Sequence, residues 1–232
     1  MANNPLISVI IPAYNRERYI GEAIQSILDQ RYIPLEIVVI NDGSTDGTRD
    51  AALQFEASII YIEQQNGGIG SALNTGLGKV TGEYIGMLDS DDLWMNNKIT
   101  LQLPVLQEKK DVGMVFGYIE NFHSPELDEN TKKRIYCPPD PMPGLSKSTM
   151  LAKRDIFGVV GGFDERLLTT DFIDWYARAQ LAGIQSVMLQ QTIARRRLHE
   201  NNTMARTPGV QIEYARTMRA KLIRERDLNN TG

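Results

Sequence analysis

Asp89, Asp91 and Asp92 crowd into one short stretch of this 232-residue chain. Carboxylates packed this closely repel one another unless a cation neutralises them, and hard oxygen ligands suit magnesium or manganese. Such an ion bridges diphosphate oxygens and, as a Lewis acid, stabilises the charge developing on a nucleoside-diphosphate leaving group. The competing reading is a solvated turn in which Asp92 caps the following helix. In Asn41-Asp42-Gly43-Ser44-Thr45-Asp46 the glycine turns the chain, one of Ser44, Thr45 and Asp46 caps a helix, and Asp42 can accept a hydrogen bond from a nucleobase N–H. Gly67, Gly68 and Gly70 let backbone approach a phosphate at a helix start, although glycine is common there and neither a Walker lysine nor a GxGxxG pattern accompanies them. Asp171 and Asp174 lie three apart and share a helix face, where Asp171 can cap the helix and Asp174 can pair with Arg178.

The elements that must position these residues follow from hydrophobic patterning. Short apolar runs at Leu6–Ile11, Leu35–Ile40, Ile59–Ile62 and Tyr84–Leu88 read as strands. Helical spacing of Tyr19, Ile20, Ala23, Ile24, Ile27 and Leu28 follows the first, with Asn15 as its cap. A helix capped by Ser44 or Thr45 runs to Phe55, and others fit Ile69–Leu77 and Asn97–Leu106. Alternation of this kind predicts an α/β fold, a Rossmann-like, mostly parallel central sheet flanked by helices in a single compact domain. In such a sheet ligands bind beyond the carboxyl ends of the strands, which is where Pro12-Ala13-Tyr14-Asn15, Asp42, Gly67-Gly68 and Asp89-Ser90-Asp91 fall. Val112–Phe116 adds a fifth strand, the polar stretch Asn121–Gly144 reads as a loop, Ser186–Leu189 is extended, and a basic helix spans Val210–Arg226. The divisions expected are a nucleotide-binding half over about 5–117, an acceptor half over about 145–204 and a C-terminal helix over about 205–232.

Bulk composition sets limits. With 25 basic against 29 acidic residues the net charge is −4, which argues against nucleic acid as a partner. Cys137 is the single cysteine, so no internal disulfide forms and a cytoplasmic setting is expected. The apolar run after Pro5 stops at Pro12, too short for a membrane span or a leader core.

The ordered segments SVIIPAYN, EIVVINDGSTDGT, NGGIGSALNTGL and TGEYIGMLDSDDLW closely resemble the family-two inverting glycosyltransferases of the GT-A fold, over roughly Ser8 to Asn202. The resemblance implies transfer of a sugar from a nucleotide-sugar, expected to be a UDP-sugar, to an acceptor hydroxyl with inversion, assisted by Mn2+ or Mg2+. It places Pro12, Ala13, Tyr14, Asn15, Asp42, Gly68, Asn74, Asp89 and Ser90 around the nucleotide-sugar. Asp89 and Asp91 form the DXD pair, with Asp91 the direct metal ligand, and Arg196-Arg197-Leu198-His199-Glu200-Asn201-Asn202 resembles the family's R-x-H-x-x-N ending, which places His199 near the metal or the diphosphate. Gly161-Gly162-Phe163-Asp164-Glu165 resembles the family's GGFDE segment before the acceptor helix, and Asp171 becomes the preferred general base with Asp174 as second choice. Trp175 either stacks on a sugar ring or fills the core. Two departures stand out: Asn41 precedes Asp42 where two aspartates are usual, and Leu73 occupies the usual place of an arginine. The second shifts the balancing of diphosphate charge onto the metal and Arg195–Arg197.

Two other readings compete. A catalytically silent nucleotide-sugar binder is disfavoured because Asp42, Asp89, Asp91 and Asp171 all remain acids. A nucleotidyltransferase would carry a basic glycine-rich loop after the first strand, and PAYNRERY is not one. The acceptor is a saccharide, a lipid-linked sugar or a protein. Arg216, Arg219, Lys221, Arg224 and Arg226 offer a peripheral contact with anionic lipid at the cytoplasmic face, though Glu225 and Asp227 favour a solvated helix face.

Overall fold

A computed structural model of the chain describes residues 4–200 together with Asn202, Thr217 and Arg224. Strand β1, Ile7–Ala13, is buried along its whole length. Alternation sends Ile7, Val9, Ile11 and Ala13 into one core and Ile10 into a second on the opposite face. A strand apolar on both faces belongs in the middle of a covered sheet, and β1 pairs in parallel with β2 (Leu35–Asp42) on one side and β4 (Tyr84–Met87) on the other. β3 (Ile60–Gln64) extends the sheet beyond β2.

Helix α1, Ile20–Leu28, buries Ile20, Ala23, Ile24 and Ile27 in the first core, as its periodicity predicts. Helix α3, Ile69–Leu77, lies against the other face so tightly that a Cβ on Gly76 would meet Ile10 Cγ2 at 2.5 Å. Short α2, Thr48–Leu53, connects β2 and β3, and α4, Lys98–Glu108, packs on the α1 side.

Beyond β4 the sheet becomes mixed. The order, with β5 (Leu93–Trp94), β6 (Val112–His123), β8 (Leu151–Lys153) and β9 (Gln185–Leu198), is β3-β2-β1-β4-β8-β6-β9-β5, with β7 (Met142–Gly144) paired to β6. β8 runs antiparallel to both β4 and β6, whereas β9 is parallel to β6 over a long register. The architecture is therefore α/β with a mostly parallel central sheet. Helices α6 (Asp155–Val160) and α7 (Asp171–Leu181) close the second core.

Several boundaries move. The fifth strand continues to His123, and the stretch expected as loop holds α5, Glu129–Arg134, whose first turn is capped by the Asp128 carboxylate accepting from Thr131 N–H. Asn15 does not cap α1, which starts at Ile20 behind Tyr19. Neither Ser44 nor Thr45 caps α2; Asp46 accepts from Thr48 N–H instead. The expected helix over 210–226 lies outside the described residues apart from Thr217 and Arg224. No helix among the described residues is long and apolar enough to cross a membrane.

Candidate active site

The carboxyl ends of β1, β2 and β4 converge on one crevice. After β1, Pro12 and Ala13 are buried and Tyr14 is half exposed. Asn15 adopts φ 52, a left-handed conformation asparagine tolerates, and staples the β1 and β2 loops together. Its N–H donates to Ser44 Oγ (2.9 Å) and its Oδ1 accepts from Thr45 N–H (2.8 Å). Asp42, 4% exposed, organises the glycine loop: Oδ1 accepts from Gln64 Nε2 (2.8 Å) and Gly67 N–H (2.9 Å), and Oδ2 from Gly68 N–H (2.9 Å). A carboxylate offers about four lone-pair positions, so only Oδ2 has capacity left for a further donor. Asn41 beside it is buried, bonded to the Tyr61 hydroxyl and Ser44 N–H.

The acidic loop after β4 separates its carboxylates by task. Asp92 is turned inward, accepting from Ser148 Oγ (3.0 Å) and Arg197 N–H (3.1 Å), so it neither caps α4 nor joins the crevice. Burial and its two acidic neighbours push it well above the usual carboxylate range. Asp91 Oδ2 lies 3.2 Å from Arg16 Nε and 3.1 Å from His199 Nε2. Burial works against its ionised form, but His199 and then Arg16 outweigh it and hold the carboxyl below its ordinary value. Asp89 accepts no side-chain hydrogen bond among the described residues; burial, with Asp91 and Asp171 nearby, raises it against the opposing charges of Lys147 and Arg196. Ser90 between them is buried.

No group of three or more His, Cys, Asp and Glu side chains among the described residues is arranged to hold a metal ion. The pair that remains nevertheless suits one: a hard divalent ion is commonly held by one or two carboxylates plus substrate phosphates, and Asp89 offers unbonded oxygens beside Asp91. His199, 3% exposed, stands behind Asp91 with its Nε2 directed at that carboxylate.

On the other side of the crevice, Lys147 is buried and donates to Asp171 Oδ2 at 2.9 Å. Burial disfavours its charge, but Asp171 and Asp89 more than compensate, and Lys147 titrates above the ordinary lysine value. Asp171 is 1% exposed, and Oδ1 carries no hydrogen bond among the described residues. Thr170, not Asp171, is the cap residue of α7. Asp174 faces elsewhere, bonded to Arg178 Nε and Arg224 Nη1, each at 2.8 Å.

Residues 8–163 match the sequence profile described as Glycosyl transferase family 2. The chain belongs to that family. An uncharacterised glycosyltransferase of Rickettsia typhi is 34% identical over 218 residues, covering 86% of this chain and 66% of that relative. The putative teichuronic acid biosynthesis glycosyltransferase TuaG of Bacillus subtilis is 39% identical over 119 residues, 49% of this chain and 47% of its own. S. aureus TarS in complex with UDP-GlcNAc superposes with a TM-score of 0.75 at 20% identity, covering 94% of this chain and 66% of that one. The mannosyltransferase PcManGT from Pyrobaculum calidifontis, in complex with GDP-Man and Mn2+, gives 0.70 at 23% identity, 96% and 65%. These likenesses show the GT-A fold, and the chain spans at most about two thirds of the length of these relatives.

Set against the family pattern, several residues take other tasks. Trp175 is fully buried, donates to Gly161 O and stacks on Phe157, so it is core and not a sugar platform. Asn74 clamps the GGFDE segment, giving Nδ2–H to Phe163 O and accepting Phe163 N–H at Oδ1. Leu73 is packed in the second core. Of the basic run, Arg195 lies beside Glu120, and Arg197 is buried against Glu22 and the Asp91 carbonyl, leaving Arg196 to line a neighbouring cavity from which its charge reaches Asp89. Sequence reading missed Arg16 and Lys147. Arg16 lies in the loop just past the end of β1, after Tyr14 and Asn15, so strand-end position was an available signal; nothing in GLSKST announces that its lysine is buried.

Proposed function

We propose that this family-2 protein transfers a sugar from a nucleoside diphospho-sugar, with UDP the favoured nucleotide, onto an acceptor hydroxyl with inversion and with the help of a divalent ion. The observation that carries this reading is the unbonded Asp89 carboxylate beside Asp91, at the strand ends where the β1 and β2 loops are already tied into a rigid rim. Asp89 and Asp91 would hold Mn2+ or Mg2+, which when bound neutralises charge on the departing diphosphate. Tyr14, Asn15 and Asp42 line the nucleoside side, with Pro12 and Ala13 beneath and Gly68 and Ser90 giving close backbone approach.

Asp171 is the proposed base. Lys147 donates to Oδ2 and fixes the carboxylate's orientation, so Oδ1 is the atom that takes the proton of the acceptor hydroxyl. Asp174, bound by two arginines, holds α7 in place. Calorimetry of UDP and GDP binding with Mn2+ and with chelator tests the donor site. UDP is expected to bind several-fold more tightly with Mn2+; equal affinity in chelator would remove the ion from the scheme.

A further inference from the structure

Side chains alternate along a strand, so Arg195 and Arg197 of β9 share one face and Arg196 takes the other. The two on the shared face have charged or aromatic neighbours: Arg195 lies over Phe122 and is ion-paired with Glu120, although its buried Nε makes no hydrogen bond among the described residues, and Arg197 lies over Tyr19 and bonds Glu22. Arg196, half-buried, makes no hydrogen bond or ion pair among the described residues, yet its charge reaches Asp89. Its side chain lines a cavity of about 520 Å3 between the end of β9, Asn121 of β6 and the segment around α5. That volume lies within the rough 300–1,000 Å3 of ordinary small-molecule sites.

The cavity walls carry complementary features. Arg134 supplies a second guanidinium, held by Thr131 Oγ1 at 3.0 Å and paired with Glu200 Oε1 on the same wall at 3.4 Å, which leaves Arg196 as the principal anion contact. Tyr136, 78% exposed, and Met142 offer an apolar surface of the kind that packs on a sugar ring. Its place in the sheet decides which substrate it faces. The nucleoside loops sit on β1–β3, the acidic loop follows β4, and this cavity lies beyond the nucleoside loops at β6–β9, adjoining the acidic loop through His199, whose Nε2 is 3.1 Å from Asp91 Oδ2.

We propose that the cavity binds the acceptor, and that the acceptor is a saccharide bearing a carboxylate or phosphate ester, gripped by the planar fork of Arg196. A partly desolvated guanidinium with no hydrogen-bond partner among the described residues is unfavourable, and a carboxylate or phosphate matches its geometry through two parallel hydrogen bonds. This rests on the transferase reading above. The same chemistry is present in the donor diphosphate, and the experiment separates the two sources.

Wild type and Arg196→Met are titrated with methyl glucuronide, methyl glucoside 6-phosphate and uncharged methyl glucoside, followed by saturation-transfer NMR with and without UDP and Mn2+. One charged glycoside is expected to bind wild type about tenfold or more tightly than the neutral one, the advantage vanishing in the variant. Although the Arg196 charge reaches Asp89, UDP affinity is expected to change by less than about tenfold in the variant, and the melting temperature stays the same, since the Arg196 side chain makes no hydrogen bond or ion pair among the described residues. Charged and neutral glycosides binding alike, or not binding, overturns the proposal. So does a variant that loses about tenfold in UDP affinity, which assigns Arg196 to the donor. If wild type binds no UDP the donor reading fails, while the glycoside comparison without UDP still decides the cavity.

Discussion

The two ends of the crevice are built by different means. At the β1–β3 end one carboxylate gathers backbone amides: Asp42 holds Gly67 and Gly68, and Asn15 joins two loops through neutral hydrogen bonds. At the α7–β9 end charges hold charges, with Lys147 on Asp171, two arginines on Asp174 and Arg197 on Glu22. Hydrogen bonds at the first end contribute about 1 kcal/mol net each where neutral and about 1.5–3 kcal/mol where the Asp42 carboxylate accepts, whereas orphaning one partner of a buried ion pair costs about 3–5 kcal/mol. The first end is thus tolerant and shape-defining, the second brittle and charge-defining.

Substitutions test this contrast. Asp171→Asn should lower kcat about a hundred- to ten-thousand-fold while donor affinity stays near wild type. Asp174→Asn should leave the rate within a few-fold and lower the unfolding midpoint; if Asp174→Asn alone abolishes transfer, the base lies one turn further along α7. Lys147→Met leaves Asp171 buried without its cation and should cost about 3–5 kcal/mol in urea unfolding. A loss no greater than that of Asp42→Asn would erase the proposed difference between the ends. Asp42→Asn turns an amide N–H toward Gly67 or Gly68 and should cost about 1–3 kcal/mol, with weaker UDP binding and unchanged kcat at saturating donor.

The smallest effect concerns Asp164. The side chain of Arg166 draws its carboxyl from 3.8 down to about 2. A depressed acid contributes stability above its unfolded value that is lost as pH falls from 3.8 toward 2. Because Arg166 is largely exposed, solvent screening limits the contribution of Asp164 to less than about 1 kcal/mol. Acid denaturation of Asp164→Asn against wild type measures it, and a shift larger than that of Asp42→Asn would contradict the ranking.

Legibility in the sequence followed the same divide. Strands β1, β2 and β4 announced themselves because both faces are buried and their runs are continuous, and the acids after them fell where strand ends predict. The second half was harder. β8 is three residues long and β5 two, too short for any period to register, and their pairing is set by distant strands. Lys147 was invisible because lysine is ordinarily a surface residue, and only tertiary packing put it beside Asp171. Asn74 and Trp175 sat in recognisable segments, yet which way each side chain turned depended on tertiary contacts outside those segments, Phe163 for Asn74 and Gly161 and Phe157 for Trp175.

Strand order carries a further consequence for how the protein is made. β4 emerges from the ribosome about 60 residues before β8, the strand that covers its free side. At roughly 5–20 residues per second that edge stays open for several seconds, with unpaired N–H and C=O groups offered to any passing strand. A nascent chain stalled between Met87 and Leu151 is therefore the species in which chaperone demand and aggregation should peak.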